Sequence, residues 1–281
     1  MMYKLIDELK NIELVIFDLD GVIYRGETLI PKADKVIQKL RDQSIKIVFN
    51  SNNSTVTREM YVNRLKKFGI MSKKKDFYTS ASITASEIKK IKENANIFVI
   101  GEKGLREELK VVGHKIINNP SNYFDIDFVI VGLDRDFNYK SLAIAQKCIL
   151  EGNAQFYATN EDATLPSSHG LLPGAGAMVN ALKICTGKEP VKIFGKPDPY
   201  GLELILEITG ISPNKTCIFG DRLNTDILAG NRAGIITCLI LTGVTTLDMI
   251  NNLKKNTEKV DKNLIPDLIM NHLDEIFKEE V

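Results

Sequence analysis

The segment Leu14–Phe17, followed at once by Asp18-Leu19-Asp20-Gly21, constrains this chain more than any other. A short, continuous apolar run suits a strand buried on both faces, as the inner strands of a parallel sheet are. It stops on two carboxylates spaced two positions apart, and Gly21 lets the chain turn sharply away. In an open parallel sheet, ligands bind outside the carboxyl ends of the strands. An acidic turn after a strand is also common with no chemistry attached, so this segment alone leaves both readings open.

The rest of the chain supplies the sheet. Pro31 opens a helical pattern with Val36, Ile37 and Leu40 on one side. Ile45–Phe49 reads as a second buried strand, ending at Asn50-Ser51-Asn52-Asn53, and a helix is expected from about Thr55, with Gly69 placed to end it. The same rhythm returns later. Val191–Phe194 reads as a strand leading into Gly195-Lys196-Pro197, and Asp198-Pro199 fits a helix cap with proline at the first helical position. Thr216–Phe219 closes on Gly220-Asp221, a helix runs from about Thr225 to Gly234, and Ile235–Leu241 is the next strand. Strand and helix in alternation indicate a parallel α/β sheet, doubly wound and Rossmann-like.

Between these halves 145 positions separate Ser51 from Lys196, too many to remain a structureless loop. They carry their own alternation: a helix near Ser82–Lys92, strand Ile97–Ile100, helix Lys103–Val112, strand Phe128–Val131, helix Tyr139–Glu151 and strand Gln155–Ala158. The sequence therefore predicts a core made of residues 1–80 and 184–281, with residues 81–183 as an inserted α/β cap domain.

Composition narrows the function classes. At 281 residues, 44 % hydrophobic and 26 % charged, the chain is an ordinary globular one that can bury a core without staples. A formal charge of +1 gives no global pull toward a nucleic acid polymer or an anionic membrane. No apolar run reaches membrane-spanning length, and the charged N-terminus lacks the apolar stretch of a signal peptide. Cys148, Cys185, Cys217 and Cys238 form no C-x-x-C pair, and His114, His169 and His272 are scattered. This argues against zinc and against a disulfide framework, and a reducing cytoplasm is the expected location.

If the strands share one sheet, four polar segments meet at one edge: Asp18–Asp20, Asn50–Asn53, Gly195–Pro197 and Gly220–Asp226. Carboxylates, a hydroxyl and an amine rarely coincide in that way by chance. With FDLDGVIYRG at Phe17–Gly26, NSNNST at Asn50–Thr55, FGKPDP at Phe194–Pro199 and GDRLNTDILAG at Gly220–Gly230, the chain resembles the haloacid dehalogenase superfamily. The resemblance is to its branch of NagD-type nucleotide phosphatases, phosphoglycolate phosphatases and p-nitrophenyl phosphatases. The motifs occur in that family's order over nearly the whole chain. Ser51 stands where the family usually has threonine, and keeps the hydroxyl.

The resemblance implies hydrolysis of small-molecule phosphate monoesters through an aspartyl phosphate. Asp18 would be the nucleophile and Asp20 the general acid and base, with a pKa above that of Asp18. Mg²⁺ would be held by Asp18, the backbone carbonyl of Asp20 and Asp221. Asp226 would stand behind them, orienting Lys196 or a metal-bound water. Ser51, Asn52 and Lys196 would hold the phosphoryl oxygens. In related enzymes the stretch Thr159–Asp162 faces the active site, so Asn160 and Asp162 are candidate substrate contacts; a homodimer is a further expectation from the family.

Other residues carry less. Arg58 reads as an exposed helix charge, Asp134-Arg135-Asp136 as a solvated turn, and His169 as part of a surface loop; Gly174-Ala175-Gly176 fits a helix start close to the core–cap junction. A cap excludes water and selects small phosphorylated metabolites, although supporting a dimer interface alone would also explain an insertion. A phosphomutase or phosphotransferase would use the same aspartyl phosphate. A phosphorylation-dependent signalling module would lack both the Asp-x-Asp spacing and so large an insertion.

Overall fold

The computed structural model describes residues 3–167, 170–255 and 261–278. The strands of its two larger sheets, in chain order, are β1 (Leu14–Phe17), β2 (Lys46–Ser51), β3 (Phe77–Thr79), β4 (Asn96–Ile100), β5 (Lys115–Ile116), β6 (Phe128–Val131), β7 (Gln155–Ala158), β8 (Lys192–Ile193), β9 (Thr216–Gly220), β10 (Ile236–Ile240) and β11 (Leu268–Met270). The chain divides into two compact units. The first comprises Met1–Ser51, Val62–Tyr78 and Lys196–Val281, and the second Asn52–Tyr61 and Thr79–Gly195.

In the first unit the sheet order is β11-β10-β9-β1-β2-β3. The pairings β1–β2, β1–β9, β9–β10 and β10–β11 are all parallel. The chain leaves β1 toward β2 and β3, then returns to build β9, β10 and β11 on the other side. That reversal puts a topological switch point between β1 and β9, where the loops part and leave a crevice. All four residues of β1 are buried, as a strand covered on both faces requires. Helix α1 (Ala33–Asp42) covers the sheet with Ala33, Val36, Ile37 and Leu40, the 3.6-residue stripe of an amphipathic helix. Phe219, Phe17, Phe49 and Phe77 run across four neighbouring strands with ring centroids 5.3, 6.4 and 5.0 Å apart. Phe17 is in register with both Phe219 and Phe49, so the residues that follow each of them emerge at one edge.

The second unit holds a five-stranded parallel sheet in the order β8-β7-β6-β4-β5. Phe98, Ile100, Val129, Val131, Cys148, Val179 and Leu182 lie in its core. Its helices include α2 (Arg58–Lys67) in part, α3 (Ser80–Ile91), α4 (Lys103–Val111), α5 (Tyr139–Leu150) and α6 (Ala175–Thr186). Two short strands, Thr164–Ser167 and Gly170–Pro173, pair antiparallel. No helix among the described residues is long and apolar enough to cross a membrane.

Several expectations change. The strand before Lys196 does not join the sheet of Asp18. It is β8, on the edge of the second unit's sheet, where Val191 N–H donates to Phe156 O at 2.7 Å and Phe194 stacks on Tyr157 at 5.8 Å. The place beside β1 is taken by β9, whose five residues are all buried. Helix α2 starts at Arg58 because Asn53 Oδ1 engages both the N–H and the hydroxyl of Thr55 in a tight turn. Arg58 is half-buried in a two-pronged ion pair with the buried Glu108. The next helix, α7 (Tyr200–Thr209), begins one residue late, with Pro199 as its cap residue and the Asp198 carboxylate accepting from Tyr200 N–H. The helix expected from Thr225 is a π turn, Leu223–Ile227, followed by α8 (Leu228–Arg232). Gly174 and Gly176 do permit close approach, but to the backbone of Glu161 and Asp162 in their own unit. His169 lies outside the described residues.

Candidate active site

The strand ends of the first unit bring Asp18, Ser51 and Asp221 to one edge. Asp18 extends the ladder by one bond, its N–H donating to Phe219 O at 2.8 Å. Ser51 is the last residue of β2 and is buried. Asp221 follows β9 directly and is buried.

Lys196, 5 % exposed, joins them from the chain beyond β8. Its Nζ donates to Asp18 Oδ1 at 2.7 Å, to Asp226 Oδ1 at 2.6 Å and to the Asn50 carbonyl at 3.0 Å. Asp226 is fixed in turn: its Oδ2 accepts from Arg222 N–H at 3.1 Å, inside the π turn. A Cβ on Gly220 would lie 2.0 Å from that of Asp226, so only glycine lets the aspartate pack there. Single π turns inside helices are frequent at functional sites.

Asp221 is held as closely. Its Oδ2 accepts from Val244 N–H at 2.7 Å, and its own carbonyl accepts from Thr245 N–H at 3.1 Å. Cβ atoms on Gly243 and Gly21 would fall 1.9 and 2.5 Å from Asp221 Oδ2. Gly21 adopts a φ of 88°, a conformation that L side chains rarely enter. Thr242 Oγ1 donates to Gly21 O at 2.7 Å, which joins the loop after β1 to the loop after β10.

The electrostatics follow from this crowding. Burial, then the neighbouring charges of Asp226 and Asp221, lift the Asp18 carboxyl well above its ordinary value against the pull of Lys196. Burial and Asp226 raise Asp221 likewise. Asp20 keeps contact with solvent, yet loss of hydration raises it too, against Arg64, Arg222 and Lys196. Burial opposes the charge on Lys196, but Asp18 and Asp226 outweigh it and hold the ammonium above its ordinary value.

Three carboxylates, Asp18, Asp221 and Asp226, are thus buried near one another, with one buried ammonium bonded to Asp18 and Asp226. That excess of negative charge, carried by oxygen donors alone, fits a hard divalent cation, which would draw Asp18 and Asp221 back to carboxylates. No set of three or more His, Cys, Asp or Glu side chains converges on a metal-sized point among the described residues. The donor set expected from the sequence needs only two side chains, Asp18 and Asp221, with a backbone carbonyl, and Mg²⁺ retains several waters in such sites.

The other predicted residues stand in the second unit. Asn52 is its first residue, and its Nδ2 donates to both Asp162 oxygens, at 3.2 and 3.1 Å. Asn160 is buried and donates to Asp162 Oδ2 at 2.9 Å. The sequence reading did not single out the Asn50 carbonyl, Gly243 or Val244. The rule of polar strand ends also covers Thr242-Gly243-Val244 after β10, but these residues act through backbone groups and a missing side chain, which leaves no chemical signature.

A family model described as haloacid dehalogenase-like hydrolase matches residues 15–115, and a second, HAD-hydrolase-like, matches residues 193–276. The chain is 34 % identical to the 5'-nucleotidase YutF of Bacillus subtilis over 254 residues, 90 % of this chain and 96 % of that protein. Among solved structures, a p-nitrophenyl phosphatase from Archaeoglobus fulgidus superposes with a TM-score of 0.85 at 34 % identity, covering 95 % of this chain and 98 % of that one. A glycerol phosphate phosphatase from Mycobacterium tuberculosis, in complex with magnesium, superposes with a TM-score of 0.84 at 27 % identity, covering 97 % and 78 %.

Proposed function

The chain belongs to the haloacid dehalogenase-like hydrolases and is a phosphatase, and from that premise we propose that it hydrolyses small phosphate monoesters through a phosphoryl group carried on Asp18. The observation that carries this reading is the Lys196 ammonium shared between Asp18 and Asp226 at the switch point, with Asp221 fixed at the same sheet edge.

In this reading an Asp18 oxygen attacks phosphorus as the bond to the leaving oxygen breaks, giving an acyl phosphate. Asp20, with its raised pKa, gives its proton to that oxygen. It then takes a proton from water, which attacks the acyl phosphate and releases inorganic phosphate and free Asp18. Lys196 keeps its charge throughout and stabilises the negative charge on the equatorial oxygens, a task electrostatic preorganisation performs well in a dry site. The Ser51 hydroxyl and the Asn52 N–H complete the phosphoryl cradle. Asp18, Asp221 and the Asp20 carbonyl would hold Mg²⁺, which supplies charge neutralisation at the phosphoryl group.

The magnesium-complexed relative supports the choice of metal, and the named activities of the relatives support small esters as substrates. The test is Asp18→Asn, assayed with p-nitrophenyl phosphate and MgCl₂. We expect kcat to fall by more than about 1,000-fold with the melting temperature retained. In Asp20→Asn, a phosphoryl adduct on the peptide containing Asp18 should accumulate and be visible by mass spectrometry. An Asp18→Asn enzyme within about tenfold of the wild type would overturn the mechanism.

A further inference from the structure

The chain passes between its two units four times, at Ser51–Asn52, Tyr61–Val62, Tyr78–Thr79 and Gly195–Lys196. The first and the last of these passages each set a residue of the proposed phosphoryl cradle, Ser51 or Lys196, next to an end residue of the second unit, Asn52 or Gly195. Those two end residues are packed into one polar cluster. Asn52 Nδ2 donates to both oxygens of Asp162, and Asn160 Nδ2 donates to Asp162 Oδ2. Thr159 Oγ1 donates to Asn160 Oδ1 at 2.9 Å, and Ser80 Oγ donates to the Asn52 carbonyl at 2.7 Å. A Cβ on Gly195 would meet Thr159 O at 2.6 Å, Asn52 Oδ1 at 2.7 Å and Asn160 Cβ at 2.9 Å.

Asp162 is the anchored member of this cluster. Its carbonyl accepts from Gly176 N–H at 3.0 Å in the first turn of α6, and a Cβ on Gly174 would lie 2.1 Å from that same oxygen. Its carboxylate therefore stands at a place set by a helix start, and Asn52 is drawn to it by two charge-assisted hydrogen bonds. A side chain engaged in this way is poorly placed to be spent on a leaving group.

We infer that Asp162 is a positioning residue: through Asn52 it fixes the first chain passage, so that the Ser51 hydroxyl and the Asn52 N–H present one geometry to a phosphoryl group. The inference rests on the phosphatase reading above. It differs from a substrate-contact role in one measurable respect. A residue that fixes the phosphoryl cradle affects all phosphate esters alike, and inorganic phosphate with them. A residue that touches the leaving group does not.

The test is Asp162→Ala, with folding checked by circular dichroism. kcat/KM should fall by a common factor, about 10- to 100-fold, for p-nitrophenyl phosphate, glycerol phosphate and a nucleoside monophosphate. The inhibition constant for inorganic phosphate should rise. Asp162→Asn, which keeps one acceptor, should fall between the wild type and Asp162→Ala. Asn52→Ala should cause a similar loss, and the double variant little more than either single one, because the two act as a unit. Unchanged phosphate inhibition overturns the inference, and so do losses that differ among the esters. Where Asp162→Ala does not fold, Asp162→Asn decides, by weakened or by wild-type phosphate inhibition. The two readings fail separately: hydrolysis that survives Asp18→Asn sinks the site itself, whereas an inactive Asp18→Asn beside unaltered phosphate inhibition in the Asp162 variants sinks only the positioning role.

Discussion

At the scale of single residues, absent atoms set the site as firmly as present ones. The Asp221 carboxylate fits because Gly243 and Gly21 have no side chain to displace it. Gly243→Ala would put a Cβ 1.9 Å from Asp221 Oδ2, a separation no packing tolerates. We expect this variant to retain its circular dichroism spectrum and to lose about 100-fold or more in kcat/KM, because the aspartate must leave its bond to Val244 N–H. Asp18, Lys196, Asp221 and Asp226 were legible in the sequence as charged side chains in the segments that follow apolar runs. Gly243 and Val244 were not, since a backbone N–H belongs to almost every residue and a glycine announces only freedom, not its use.

At the scale of elements, His114 ties three pieces of the second unit together. It follows α4, precedes β5, and its Nδ1 accepts from the N–H of Ala95 at the start of β4, at 3.2 Å. Burial depresses its pKa, the Ala85 carbonyl on α3 raises it, and Lys89 on the same helix lowers it, with a net downward shift. The unfolded chain therefore binds the proton more readily than the native one. The stabilisation is complete above the unfolded value of about 6.5 and is lost as pH falls from there toward the native value. The urea midpoint of the wild type should drop between pH 8 and pH 5.5 by more than that of His114→Asn, which has no proton to take up. Equal drops would remove His114 from the account. The strands β1, β6 and β7 were readable to the residue, because a short apolar run bounded by polar residues has few other uses. Which sheet β8 would join was not readable: its hydrophobicity is the same whether its partner is β7 or β1. The π turn was hidden for a related reason, since an apolar stripe sets a helical face but not the extra residue that places Asp226.

At the scale of the whole molecule, the doubly wound α/β class and the long insertion were both visible as a repeated rhythm with 144 residues between Ser51 and Lys196. What no rhythm shows is how much buried charge the fold must tolerate. Asp18, Asp221 and Asp226 are buried, with one ammonium bonded to Asp18 and Asp226, and the native state should be more stable when a divalent cation shares the load. Chelation with EDTA should lower the melting temperature as well as the activity, and MgCl₂ should restore both. Asp221→Asn should melt at nearly the same temperature with and without MgCl₂. A wild-type melting curve indifferent to magnesium would remove the metal from this site.

The Lys196–Asp18 bond spans 178 positions of chain, and that separation orders events during synthesis. A ribosome that has just translated Gly195 has delivered every residue of the inserted unit, yet only the opening part of the unit that surrounds it. Domains generally fold as units while the chain emerges, so the insertion is free to fold while Asp18 still lacks its ammonium partner and the strand of Asp221. A chain that ends before Val244 lacks the N–H that the Asp221 carboxylate accepts from. On the proposed mechanism, a nascent chain that has not yet reached Lys196 and Val244 hydrolyses no phosphate ester.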